Sequence, residues 1–162
     1  MEFTGEFETH LTIASPERAS QIALTTWARE HGMKFLQIEL ADGLTPIQPM
    51  LSWRGTGSRT SQMVRIQSVS DELAKAGFRV TRSKLEASPR NDDIPENDTD
   101  VEHAAMRYFE HHVKLLLSYE DISRLQQIAQ RHEAHLSRNA FVQREDSLSE
   151  RFVTQRCWRV GR

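Results

Sequence analysis

Cysteine is almost missing from this chain: Cys157 stands alone among 162 residues. No intrachain disulfide is available, and a reducing compartment is the natural setting. The opening Met1-Glu2-Phe3-Thr4-Gly5-Glu6 has no basic stretch followed by an apolar one, so no secretory signal is expected. No apolar run approaches the roughly 18 residues that cross a bilayer, so no membrane partner is expected and the cytoplasm is the expected location. An excess of one charge is missing too, since a net charge of -2 gives no global pull toward nucleic acid or anionic lipid. There is no cysteine pair and no His-x-x-x-His on a helical segment, so no structural zinc and no cofactor are expected. Cys157 lies mid-strand among alternating arginines and reads as structural rather than nucleophilic.

What remains is an ordinary globular composition, 38% hydrophobic and 27% charged, in a length that suits one domain or two small halves. Residues 7–13 are β-branched and aromatic-rich and predict a strand. Ser15-Pro16-Glu17 is a helix start, with a hydroxyl cap, a proline and an acid at the positive helix end. Ala19, Ile22, Ala23 and Trp27 form the expected buried stripe, and Gly32 ends the helix. Residues 34–40 and 50–54 predict two more strands, separated by a loop with Asp42-Gly43, Pro46 and Pro49. Gly55-Thr56-Gly57-Ser58 reads as a turn into a second helix from about Ser61, with the stripe Ile66, Val69, Leu73 and Ala76 and a stop at Gly77. Residues 78–87 are a fourth strand, which completes a β-α-β-β-α-β order of the ferredoxin-like kind.

Residues 89–104 break the pattern with acids and prolines and read as a linker or exposed loop. Strand, helix, strand, strand then recur over residues 108–117, a helix after the capping-box shape Ser118-Tyr119-Glu120-Asp121, 135–142 and 151–160. Its helical stripe is Ile122, Leu125, Ile128 and Ala129. The two stretches resemble each other at a spacing of about 102 residues. Phe7-Glu8-Thr9-His10 aligns with Phe109-Glu110-His111-His112, and Leu51-Ser52-Trp53-Arg54 with Val153-Thr154-Gln155-Arg156. Ala28-Arg29-Glu30-His31 aligns with Ala129-Gln130-Arg131-His132, one residue closer. The expected fold class is therefore α+β: duplicated ferredoxin-like halves with antiparallel sheets, the first over 1–88, the second over 105–162 and truncated after its third strand. A truncated sheet leaves apolar surface that a homo-oligomeric copy or another protein subunit is expected to cover.

Several groups offer chemistry. His10 and Thr12 share one face of a strand. His10-Leu11-Thr12-Ile13 resembles the His-x-Thr strand motif of the 2H phosphoesterase superfamily. That resemblance implies two such strands, one per half of a duplicated fold, whose histidines act as acid and base on a phosphodiester while the hydroxyls hold phosphate. The repeat puts His112 in the second position and Lys114 where the second threonine belongs, an ammonium that can still neutralise phosphate. Gly55, Gly57 and Ser58 precede a helix and can offer N–H groups to a phosphate, although they lack a Walker lysine and a third glycine; a tight turn is the plainer reading.

His31 and His132 fall at helix ends, where capping is expected rather than ligation. Arginines 131, 138, 144, 151, 156, 159 and 162, with Phe141, Phe152 and Trp158, suit either a single-stranded RNA or nucleotide surface or a solvated face paired with the acidic linker. The strands beginning at Tyr108, His135 and Glu150 also resemble a bacterial protein family that carries no established activity and runs on past the position of Arg162. Two functional classes follow: a binding module that associates through its second half, or a phosphoesterase acting on a nucleotide or RNA phosphodiester.

Overall fold

The computed structural model describes residues 2–14, 18–101 and 107–162. Ser15-Pro16-Glu17, the expected helix start, lies outside the described residues, as do residues 102–104 of the acidic stretch. Among the described residues the chain is α+β, with seven strands and three α-helices, and every described strand pairing is antiparallel. It divides into two compact units, residues 1–36 with 48–94 and residues 37–47 with 95–162.

The first unit contains β1 (Thr4–Ile13), α1 (Arg18–Glu30), the start of β2 (Lys34–Leu40), β3 (Ile47–Ser58), α2 (Arg59–Lys75) and β4 (Val80–Ala87). Its strands run in the order β4-β1-β3-β2. Alternation along β1 sends Phe7, Thr9, Leu11 and Ile13 into the core and Glu8, His10 and Thr12 to the opposite face. Leu51 and Trp53 of β3 join them, and Leu24, Ala28, Ile66, Val69 and Leu73 of the two helices close the core.

The α1 stripe differs from expectation. Ile22 is 67% exposed and Ala23 is exposed, whereas Leu24 and Ala28 are buried. A stripe through Leu24, Trp27 and Ala28 keeps helical spacing as well as one through Ile22 and Ala23, and it brings the larger Leu24 inward.

A further correction concerns the end of β3. Gly55-Thr56-Gly57-Ser58 is the end of β3 rather than a turn. Thr4, Gly5, Glu6 and Phe7 continue the β1 ladder against these residues. Ser58 then caps α2, its Oγ accepting from Ser61 N at 3.1 Å.

The second unit contains the later residues of β2, then β5 (Phe109–Ser118), α3 (Ile122–Arg131), β6 (His135–Asn139) and β7 (Leu148–Cys157), in the order β2-β6-β7-β5. β6 is shorter than expected and β7 begins earlier, at Leu148. The capping box at Ser118 does not form. Ser118 Oγ donates to Asp121 Oδ2 at 2.7 Å, and one 3-10 turn over Tyr119–Asp121 precedes α3.

The two units repeat at the level of register. Phe7 faces Gly55 and His10 faces Ser52 across β1 and β3. Phe109 faces Cys157 and His112 faces Thr154 across β5 and β7, the same pairing displaced by 102 residues in both strands. The ends of α1 and α3 match too. His31 N and Met33 N donate to Trp27 O and Ala28 O, while His132 N and Ala134 N donate to Ile128 O and Ala129 O.

The acidic stretch is tied down at both ends. Asn91 is buried and exchanges two 2.8 Å hydrogen bonds with the backbone of Glu6. Within the second unit, Gly161 N donates to Asp98 Oδ1 at 2.9 Å and Arg162 pairs with Glu96.

Candidate functional site

On the face of β1 opposite the core, Glu8 accepts from Ser52 Oγ and from Arg54 Nε, both at 3.2 Å. Strand alternation places His10 on the same face, two residues along. The second unit carries the same four positions: Glu110, His112, Thr154 and Arg156. Glu110 accepts from Arg156 Nε at 3.0 Å and lies 3.2 Å from His112 Nε2, and His112 Nδ1 is 3.0 Å from Thr154 Oγ1. Each unit thus sets a glutamate, a histidine, a hydroxyl and an arginine across two neighbouring strands in one register.

The two histidines differ in their surroundings. His10 is 17% exposed at its side chain, and its Nε2 lies 3.5 Å from Glu86 of β4. Its Nδ1 is buried with no hydrogen-bond partner among the described residues. Lys84 Nζ binds the same Glu86 at 2.5 Å. Burial pushes the Glu86 carboxyl upward, but hydrogen bonds and charges from His10 and Lys84 outweigh it and hold the group at about 2. His112 is far more open, 47% exposed at its side chain.

Thr12 is half-buried, faces Met50 and Arg82 across the ladder, and its carbonyl accepts from Thr81 Oγ1 at 3.1 Å. Lys114 sits 2.8 Å from Glu150 Oε2, whose carboxyl it draws below the usual range, and lies over the Phe152 ring at 5.9 Å. β1 therefore brings His10 and Thr12 to one face, and β5 does the same for His112 and Lys114.

A carboxylate beside an imidazole orients it for proton transfer, and hydroxyls and guanidinium groups can hold an anion. Here the cations already have carboxylate partners: Arg54 with Glu8, Arg156 with Glu110 and Lys114 with Glu150. Cross-strand pairs of this kind also stabilise a ladder without any ligand.

Gly55 and Gly57 have a packing role. A Cβ on Gly55 meets Gln62 Oε1 at 2.5 Å, and Gln62 Nε2 donates to Thr56 O at 2.9 Å. The buried amide of Gln62 therefore lies against the strand, and the Ser58 hydroxyl is engaged by the helix it caps.

A different feature appears in the second unit, on the face of β5 and β7 that carries Val113 and Val153. His111 and Val113 of β5, Val153 of β7, Leu125 and Ile128 of α3, and His132 just past the end of α3 line an open cleft. In the first unit the corresponding β1 position, Leu11, is fully buried in the core that α1 and α2 close. Val113, which occupies the place of Leu11, is 50% exposed.

The His-x-Thr resemblance and its repeat single out His10, Thr12, His112 and Lys114 and leave Glu8, Ser52, Arg54, Glu86, Glu110, Thr154 and Arg156 unnamed as site residues. The signal for most of these is the repeat: each of the two aligned tetrapeptide pairs contributes two members of each quartet. No helix among the described residues is long and apolar enough to cross a membrane. Comparison with protein-family models, with curated proteins and with solved structures finds no match.

Proposed function

We propose that this chain is an interaction module made of two ferredoxin-like halves by internal duplication, and that it takes up another polypeptide on its second half. The element order β-α-β-β-α-β with strands in the order β4-β1-β3-β2 supports the ferredoxin-like description of the first half. The order β6-β7-β5, against β2-β3-β1, and the matched register support the duplication. The observation that carries the functional reading is the contrast between Leu11, fully buried in the first core, and Val113, half in water beside α3. Apolar surface exposed in a cleft rather than scattered marks a place where another chain sits.

The test is a displayed library of helical peptides selected against the full chain and counter-screened with Val113→Glu. Binders that lose affinity for the variant support the reading. A library that yields no binder sensitive to Val113 overturns it. Sedimentation separates a second copy from a foreign partner: self-association abolished by Val113→Glu assigns the cleft to another copy of this chain.

A second reading is favoured by the paired quartets and by the buried Nδ1 of His10, which has no hydrogen-bond partner among the described residues. It is a 2H-like phosphoesterase in which His10 and His112 serve as base and acid and Thr12 and Lys114 hold phosphate. The base takes a proton from water, the water oxygen bonds to phosphorus, and the acid protonates the departing alkoxide, so one water is consumed per ester opened. Hydrolysis of a 2′,3′-cyclic nucleotide that falls at least about 100-fold in both His10→Ala and His112→Ala supports it, and turnover unaffected by either variant removes it.

A further inference from the structure

The first unit is a template for what fills the cleft of the second. α2 presents Gln62, Ile66, Val69 and Leu73 to the core and packs on β1 and β4. β5 and β7 repeat the register of β1 and β3, and the end of α3 repeats the end of α1, so the seat of α2 has a defined counterpart. Substitutions at that counterpart say how its occupant differs from α2.

Val153 stands for Leu51, Val113 for Leu11 and Gln155 for the buried Trp53, so the floor is shallower and more volume must come from the occupant. Cys157 stands for Gly55. A side chain at that place closes the space Gln62 uses, since even a Cβ on Gly55 reaches 2.5 Å from Gln62 Oε1. His132 stands for His31, whose Nε2 lies 3.9 Å from the Glu72 carboxylate of α2. His111 stands for Thr9, which adds a second imidazole.

We propose that the cleft between α3 and the β5–β7 face binds an acidic amphipathic helix of a separate polypeptide, seated as α2 is seated in the first unit. This rests on the interaction-module reading. The helix carries a small residue where α2 has Gln62, bulky apolar residues such as leucine, methionine or phenylalanine where it has Ile66, Val69 and Leu73, and a carboxylate where it has Glu72. The carboxylate faces His132 and His111, and the apolar stripe covers Val113 and Val153. The chain's own α2 cannot serve, because Ile66, Val69 and Leu73 are buried in the first unit. Recognition by an apolar stripe set in a groove is a recurring mode of helix capture.

The experiment uses the full chain and two labelled peptides, with binding read by fluorescence anisotropy. The probe called acidic is the sequence of residues 59–76 with Gln62→Ala and Val69→Leu, which keeps the Glu72 carboxylate; the probe called neutral carries Glu72→Gln in addition and differs only in lacking that carboxylate. The acidic probe is expected to bind at least about five-fold more tightly than the neutral one. His132→Gln is expected to erase that difference, and Val113→Glu to weaken both probes about ten-fold or more. Gln155→Glu, at an exposed position whose amide donates to His132 O at 3.2 Å, puts a carboxylate in the cleft and should weaken only the acidic probe. Equal binding of the two probes overturns the proposal. If library-selected helices still depend on Val113 while carrying no acid, the interaction-module reading stands and the acidic-helix inference falls. If no peptide depends on Val113, both fall.

Discussion

Glu133 takes φ +52° at the end of α3 where Gly32 takes φ +66° at the end of α1. Both follow a histidine whose N–H closes the last helical turn, and both precede a residue whose N–H returns to the buried alanine, Ala28 or Ala129. This is the left-handed helix cap that glycine adopts without steric cost and glutamate does not. Glu133→Gly is therefore expected to raise stability by about 1 kcal/mol, and Gly32→Ala to lower it by a similar amount. Open space surrounds Gly32, so the second effect is conformational rather than a clash. Urea denaturation of the three proteins checks both signs.

The same cap explains part of what is legible in the sequence. Ala-x-x-His recurs because alanine fits beneath the helix and the histidine N–H closes the turn, so a local rule leaves a visible repeat. β2 is readable over its observed limits, Lys34–Leu40, since apolar residues crowd between two loop signals. β3 reads too short because Gly55 and Gly57 look like a turn, and only the approach of Gln62 explains glycine inside a strand. The α1 stripe is ambiguous because two stripes share Trp27, and helical spacing alone does not choose between them. The quartets are only half legible. A motif names His10, but which residue stands opposite it depends on register, and register is set by the whole ladder.

The contact between Gly55 and Gln62 predicts a non-additive pair. Gly55→Ala places a methyl against the buried amide oxygen of Gln62 and is expected to cost about 1–3 kcal/mol by overpacking. Gln62→Ala removes the obstacle but leaves Thr56 O without its donor, which costs about 1 kcal/mol. The double variant should be more stable than the sum of the single effects implies, with a coupling of about 1 kcal/mol or more. Chemical denaturation of the four proteins of the cycle measures the coupling, and strict additivity contradicts the packing role given to Gly55.

Glu86 makes the fold sensitive to acid. Its carboxyl is held at about 2 in the folded chain, below the ordinary value of 4.5, by His10 and Lys84 acting against burial. A depressed folded value stabilises the chain fully above the unfolded pKa and loses that contribution as pH falls from about 4.5 through about 2. Glu86→Gln is expected to lower stability at neutral pH by roughly 2 kcal/mol and to make little difference near pH 2. Urea midpoints for the two proteins at neutral and acid pH give the comparison; a gap that stays constant or widens in acid contradicts the assignment.

Leu11 and Val113 hold equivalent register positions but not equivalent burial, which leads to the sharpest contrast between the units. Leu11 is fully buried in the first core, to which β1, β3, α1 and α2 all contribute. Leu11→Ala leaves a cavity that neighbouring side chains fill only in part, and is expected to cost about 3 kcal/mol. Val113 is half exposed, so Val113→Ala removes contacts that water already shares and should cost less than about 1 kcal/mol. The contrast should shrink when a helix occupies the cleft, because Val113 then gains the cover that Leu11 always has. The same Val113→Ala substitution should weaken a bound peptide by about 1 kcal/mol, roughly five-fold in affinity. Thermal denaturation of both variants, with and without saturating peptide, separates the two contributions. If Val113→Ala costs the free chain as much as Leu11→Ala does, the cleft is already filled and has no room for a partner.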